Sequence, residues 1–275
     1  MEPYLNGKVA LVTGVSSGLG WGVAKAFAER GAHVVGVARR ADRGAALADE
    51  IKANGGRFTF RRCDIDDVAE SQAVIAETEA SEGRIDILIN NAGSSGERPV
   101  QRIEAMTEAD WDVVQSTNLR AAFTLTRLVL PGMQARRDGV ILNIASINAR
   151  IAVANMASYN ASKAGLVHFT NTIAVENAGS GVRAIAILMG GVASEMSSSV
   201  ADAMARSIKG PDWVRTPESR AAMNARSPSA EAYGRALAAL CSDDAALITG
   251  AVIALDGGAT AGSIASHMIY LGASQ

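Results

Sequence analysis

Short runs that are apolar at nearly every position alternate with longer amphipathic stretches along almost the whole chain, and this rhythm leaves few folds open. A strand without a polar face must be covered on both sides. Amphipathic helices between such strands supply the cover, which calls for a parallel sheet with helical crossovers. Right-handed crossovers then give an α/β architecture, a doubly wound parallel seven-stranded sheet with helices on both faces. The strands are expected at Lys8 to Val12, His33 to Val37, Arg57 to Arg62, Asp86 to Asn90, Val140 to Ala145, Arg183 to Leu188 and Ala251 to Leu255. Helices are expected at Leu19 to Arg30, Ala41 to Ala53, Val68 to Glu82, Glu108 to Arg137 with a bend near Pro131, and Ser158 to Ala178.

No linker-like shift in composition divides the chain, so residues 1–275 read as one domain. The exception to the rhythm is 195–229, long, rich in Met, Ser and Ala, and broken by Gly210-Pro211 and Thr216-Pro217. A stretch of that kind is expected to be a substrate lid, carrying Met196, Met204, Ile208 and Trp213. Residues 259–275 form a tail whose cluster Met268-Ile269-Tyr270-Leu271 suits packing on a neighbouring subunit or over a pocket.

Composition narrows the partners. Both signs of charge are interspersed and the formal net charge is −2, which argues against nucleic acid or an anionic membrane surface as partner. No apolar run approaches the ~20 residues needed to span a bilayer. Cys63, Cys241, His33, His168 and His267 lack ligand-like spacing, so no metal site is expected. The start of the chain lacks a charged-then-apolar secretion signal, and a reducing cytoplasm is the expected location.

The chemistry begins at Thr13-Gly14-Val15-Ser16-Ser17-Gly18-Leu19-Gly20, between the first strand and the first helix. There Gly14, Gly18 and Gly20 let the backbone turn sharply and come close to a dinucleotide pyrophosphate at the helix N-terminus. An ordinary glycine-rich turn is the competing reading. The second strand ends in Ala38-Arg39-Arg40 rather than an acid. Guanidinium groups there favour the 2′-phosphate of NADP(H) over NAD(H), Arg39 first and Arg40 second, with hydroxyls of Ser16 and Ser17 adding to the site. A solvated arginine pair is the alternative. Asp64, followed by Ile65, can accept from the adenine amino group or simply favour a helix N-terminus. Asn91, Ala92 and Gly93 after the fourth strand let the chain pass close to the ribose, or form a plain turn.

Tyr159 and Lys163 lie four residues apart at the start of a helix and so share a face. A nearby ammonium, together with the positive charge on an oxidised nicotinamide, is expected to lower the phenol towards neutrality and make Tyr159 an acid–base group, with Lys163 also holding the ribose. Ser146, thirteen residues before Tyr159, ends a strand at its carboxyl edge and is placed to anchor a substrate oxygen. Asn118 is expected to hold a backbone distortion, or a water connecting Lys163 to solvent. Each residue alone has an ordinary explanation. Together, in this order and at these strand ends, they point to hydride transfer between a nicotinamide and a carbonyl or alcohol.

With these motifs in view the chain resembles the short-chain dehydrogenase/reductase family, in its single-domain branch. The similarity rests on Thr13-Gly14-x-x-x-Gly18-x-Gly20, Asn90-Asn91-Ala92-Gly93, Asn118, Ser146, Tyr159-x-x-x-Lys163 and Thr249-Gly250…Asp256-Gly257-Gly258. The resemblance implies a Rossmann-like sheet and a catalytic tetrad of Asn118, Ser146, Tyr159 and Lys163. It implies an NADP(H)-preferring member that interconverts a ketone and a secondary alcohol. It implies a homotetramer or homodimer, for which Ala121, Ala122, Phe123, Val167, Phe169 and Ile173 are candidate contacts. Val192 and Ser194 are expected beside the nicotinamide carboxamide, although Met189 stands where relatives have proline and Ser194 where they have threonine. Trp21 is bulky for its place and is expected to crowd or cover the pyrophosphate. The substrate pocket is expected to draw on Ser94, Ser95, Ile147, Val153 and Met189. An NAD-linked alcohol dehydrogenase working oxidatively, and a non-catalytic dinucleotide-sensing module, are the rival readings.

Overall fold

A computed structural model describes residues 3–225 and 227–261. The tail cluster Met268 to Leu271 lies outside the described residues. Seven strands form one sheet: β1 (Val9–Thr13), β2 (His33–Ala38), β3 (Arg57–Arg62), β4 (Ile87–Asn90), β5 (Gly139–Ile144), β6 (Val182–Met189) and β7 (Val252–Leu255). Their order is β3-β2-β1-β4-β5-β6-β7, and every neighbouring pair is parallel. The helices are α1 (Gly18–Glu29), α2 (Ala41–Ala53), α3 (Val68–Glu82), α4 (Glu108–Gln115), α5 (Ala121–Arg136), α6 (Ala157–Glu176), α7 (Glu195–Lys209), α8 (Pro217–Ala225) and α9 (Ala230–Leu240).

Alternate residues of the same strands serve the two faces. Ala10 and Val12 of β1 pack with Phe27 of α1, Leu47 of α2 and Leu237 of α9. Val9 and Leu11 pack with Val74 of α3, Leu125 and Met133 of α5 and Ile173 of α6. This is why β1 is apolar from Val9 to Val12, with its one polar residue, Thr13, at the cleft end. Between β1 and β4 the strand order reverses direction, which opens a crevice at the carboxyl ends of those two strands.

Three features differ from the sequence reading. The long helix expected over Glu108 to Arg137 is two helices joined by a π-helical segment, Ser116–Arg120, whereas Pro131 sits within α5. The stretch 195–229 is largely helical, with α7 capped by Ser194 and Ser197. The rhythm of the sequence also left α9 unassigned. Its backbone lies so near α1 that a Cβ on Gly22 would stand 2.3 Å from the carbonyl carbon of Ala230, and one on Gly234 2.7 Å from the Cβ of Ala26. Of the six residues expected on an oligomer face, Ala121, Ala122 and Ile173 are buried in the subunit itself, because that side of each helix packs onto the sheet. Phe123 remains 49% exposed and meets Phe169 edge to face at 6.1 Å. No helix among the described residues is long and apolar enough to cross a membrane.

Candidate active site

A cleft of about 720 Å³ runs over the crevice at the carboxyl ends of the strands. Its floor begins at the turn between β1 and α1. Gly14 has φ +74°, and a Cβ there would meet the Cα of Ala92 at 2.9 Å. A Cβ on Gly20 would lie 2.3 Å from the carbonyl oxygen of Gly14, so this position admits no side chain at all. Thr13 ties the turn to the end of β4, accepting from the backbone N–H groups of Asn91 (3.0 Å) and Ala92 (2.9 Å), while the Asn91 amide donates to the Thr13 carbonyl at 2.7 Å. No side chain caps α1, and its first turn holds no acid. The helix therefore presents free N–H groups and the positive end of its dipole to the cleft. A pyrophosphate fits such a cradle.

The nucleotide end is shaped by the Arg39-Arg40 pair. Arg40 donates from Nε to Ser16 Oγ (3.1 Å), from Nη2 to Ser17 Oγ (2.8 Å) and from Nη1 to Glu195 Oε2 (3.0 Å). Arg39 is exposed, and it lines the cleft with Ser16, Ser17, Leu19, Asp64 and Ile65. Thus Arg40, ranked second from the sequence, is the guanidinium that organises the phosphate turn. Trp21 does not cover that turn. Its indole N–H donates to Glu50 of α2 at 3.1 Å and the ring packs on the core, because α1 carries the side chain away from the cleft.

At the other end, Tyr159, Ser146 and Lys163 come together as expected. Ser146 closes β5 and hydrogen-bonds to Tyr159, which holds the phenol down, but burial acts more strongly and leaves its pKa above the ordinary value. The phenol is therefore protonated at neutral pH. The Lys163 ammonium lies 5.7 Å from the centre of the Tyr159 ring and donates to the Ile144 carbonyl at 2.8 Å. It is buried, and burial lowers its own pKa to about 8.

Asn118 sits in the π-helical segment, with its side chain fully engaged. Its amide donates to the Ser94 carbonyl and the Ser162 hydroxyl, both at 2.9 Å, and its oxygen accepts from Ser94 N–H at 2.7 Å. The side chain thus pins the chain after β4 to α6. Gly93 lets that chain pass: a Cβ there would lie 3.2 Å from Asn118 Oδ1 and 3.4 Å from Lys163 Nζ. Val192 and Ser194 border the cleft, and the Ser194 hydroxyl accepts from Ser197 N–H at 3.1 Å as the cap of α7.

Several residues at the site have roles that the sequence reading did not assign. Asp66 accepts hydrogen bonds from the hydroxyls of Ser116 and Thr117, both at 2.7 Å, and so fixes the start of the π-helical segment. Asn148 donates its backbone N–H to Ser146 Oγ at 3.2 Å and its side-chain amide to Asn160 at 3.1 Å. Asn90, Asn143 and Thr170 form a buried polar chain beneath the cleft. The apolar wall is made by Ile147, Val153, Met156, Met189 and, from α7, Met196, Val200 and Met204. Ile208 is 84% exposed and Trp213 lies between Lys209 and Arg215, so neither joins that wall. Ser95 lines the cleft, whereas Ser94 serves it through its backbone.

This arrangement matches known proteins. A family model described as short chain dehydrogenase matches residues 8–205. The chain is 36% identical over 257 residues to oxidoreductase UcpA of Salmonella typhimurium, covering 93% of this chain and 95% of that one. It is 32% identical over 252 residues to the 3-oxoacyl-(acyl-carrier-protein) reductase FabG of Escherichia coli, covering 92% and 97%. A crystal structure of an actinorhodin polyketide ketoreductase with NADPH superposes with a TM-score of 0.82 at 31% identity, covering 94% and 98%. The chain belongs to the short-chain dehydrogenase/reductase family of oxidoreductases.

Proposed function

We propose that this protein is an NADP(H)-dependent reductase of ketones, with Tyr159 as proton donor and Ser146 as carbonyl anchor. The observation that carries the reading is the half-buried, protonated phenol of Tyr159 hydrogen-bonded to Ser146 on the wall of a cleft whose far end has a glycine cradle and two arginines. The nicotinamide supplies the hydride when bound. Gly14, Gly18, Leu19 and Gly20 hold its pyrophosphate, Arg39 and Arg40 with Ser16 and Ser17 its 2′-phosphate. Asp64 and Ile65 border the adenine, Asn91, Ala92 and Gly93 the ribose, and Val192 and Ser194 the carboxamide.

Ser146 orients the ketone oxygen, and Tyr159 gives that oxygen a proton as the carbonyl carbon is reduced. Raised above its ordinary range, the phenol is in the right state to act as an acid in this direction. Lys163 holds the ribose end and, with an accessible pKa of about 8, can return a proton towards Tyr159. Asn118 keeps Ser94 and α6 in register around that path. The NADPH in the related ketoreductase and the reductase activity named for FabG support the same direction.

The substrate half favours an uncharged ketone. Charged residues lining the cleft are Arg39, Arg40, Asp64, Asp66 and Glu195 at the nucleotide end, and Lys163, which is committed to the Ile144 carbonyl. Among the described residues, a carboxylate on the substrate would find no free cation beside the methionine wall. The reading is tested by initial rates on a panel of neutral cyclic and aliphatic ketones and keto acids, with NADPH and with NADH. Faster turnover of neutral ketones with NADPH, abolished by Tyr159→Phe without loss of cofactor binding, is expected. A strong preference for NADH, or turnover that survives Tyr159→Phe, would overturn it.

A further inference from the structure

Resting on the NADP(H) reading, we propose that Glu195 is an internal rival of the cofactor's 2′-phosphate, because its carboxylate and that phosphate draw on the same guanidinium groups. Arg40 is the shared partner. Two of its nitrogens are spent on Ser16 and Ser17 of the phosphate turn, and the third reaches Glu195 Oε2 at 3.0 Å. Arg43, one turn along α2, faces the other carboxylate oxygen at 3.7 Å.

The pair joins two parts of the molecule with different duties. Glu195 opens α7, and the first turn of α7 rests on the phosphate turn: a Cβ on Gly18 would lie 3.1 Å from the Cβ of Ser194. A first-turn acid also suits the dipole of its own helix. That preference does not account for a carboxylate directed across the cleft at two arginines of another element. Glu195 is 61% exposed and Arg40 41%, so the pair is solvated and readily exchanged. A phosphate is the stronger charge-assisted acceptor for a guanidinium. A 2′-phosphorylated nucleotide therefore takes Arg40 and releases the first turn of α7, the helix that places Met196, Val200 and Met204 against the substrate. A nucleotide without that phosphate leaves the pair in place. Selection of cofactor and setting of the α7 wall become one event.

The test is calorimetric titration of the full chain and of Glu195→Gln with 2′,5′-ADP and with 5′-AMP, after circular dichroism has established equal folding. Glu195→Ala serves as a second variant. Both substitutions are expected to tighten 2′,5′-ADP by about two- to fivefold, the range of an exposed ion pair, with a much smaller gain for 5′-AMP. They are also expected to steepen the salt dependence of that difference, since no screened ion pair is then given up on binding. If the parent prefers 2′,5′-ADP but neither substitution widens the preference, Glu195 is not a rival and the NADP(H) reading stands alone. If neither parent nor variants gain from the 2′-phosphate, both the rivalry and the NADP(H) reading fail. Hydrogen exchange over 195–201 supplies the link to α7. It should change with 2′,5′-ADP but not with 5′-AMP, and identical exchange with the two nucleotides would overturn the coupling.

Discussion

Replacing Lys163 by methionine turns the burial of one ammonium into a measurable free energy. The side chain is 4% exposed, and its pKa falls from an ordinary 10.5 to about 8. A drop of that size makes the charged form ~3 kcal/mol less stable inside the fold than in the unfolded chain. The sign follows from proton counts. Between about 8 and 10.5 the unfolded chain holds a proton that the folded chain lacks, so the penalty is full below that window and fades as pH rises through it. Lys163→Met keeps an apolar stem of similar length and removes the charge. It also removes the 2.8 Å hydrogen bond to the Ile144 carbonyl. A charged donor of that kind is worth ~1.5–3 kcal/mol, so near neutrality gain and loss largely offset and the two proteins should differ by less than about 1.5 kcal/mol. The pH dependence escapes this cancellation. Between about pH 7 and about pH 10 the parent should gain ~2.5 kcal/mol relative to the variant. Urea unfolding of both proteins at each pH, followed by far-ultraviolet circular dichroism, gives the difference directly. Groups common to both drop out, including Cys63 and Cys241, whose thiols burial pushes up to about 11 and about 12. A difference that stays flat across this range would refute the argument that Lys163 is held dry.

Three further outcomes follow from the geometry. Asp66→Ala frees Ser116 and Thr117 and should lower kcat by about ten- to a hundredfold through displacement of Asn118, with KM for the ketone little changed and with partial recovery in Asp66→Asn; equal loss in both variants would argue against this positioning role. Gly22→Ala forces α1 from α9 and should destabilise the fold by about 1–3 kcal/mol in urea, whereas an unchanged midpoint would contradict the close approach at Ala230. Because burial raises the Tyr159 phenol while Lys163 titrates at about 8, the ketone-reduction rate should stay level up to neutral pH and fall only above about 8, so a loss that sets in below neutrality would count against Tyr159 as the acid.

How much of this was legible in the sequence depends on how far each constraint reaches along the chain. The strands could be read because every residue of β1, β2, β4 and β5 is buried, and their few polar residues, Thr13, His33, Asn90 and Asn143, stand at or near strand ends where they hardly blur the pattern. The bounds of α3 were equally plain, since Asp67 caps its first N–H groups and Gly83 ends it at φ 77°. The π-helical segment was not, because one inserted residue hardly disturbs a helical apolar pattern, and its anchor, Asp66, lies fifty residues away. The constellation of Tyr159, Lys163 and Ser146 was visible from spacing. The burial that raises the phenol was not, because it is set by the elements packed around Tyr159 rather than by helical spacing. The different surroundings of Arg39 and Arg40 were hidden in the same way. Neighbours in sequence point differently, and only Arg40 turns towards Ser16 and Ser17.

The contact between α1 and α9 bears on the order in which this protein is made. The helix whose N-terminus faces the cleft is complete by Glu29, yet the surface that seats its other side belongs to residues 230–240, some two hundred residues later in synthesis. Until those residues emerge, Val23, Ala26 and Phe27 of α1 have no partner there, and a nascent chain arrested earlier should be unable to retain its nucleotide.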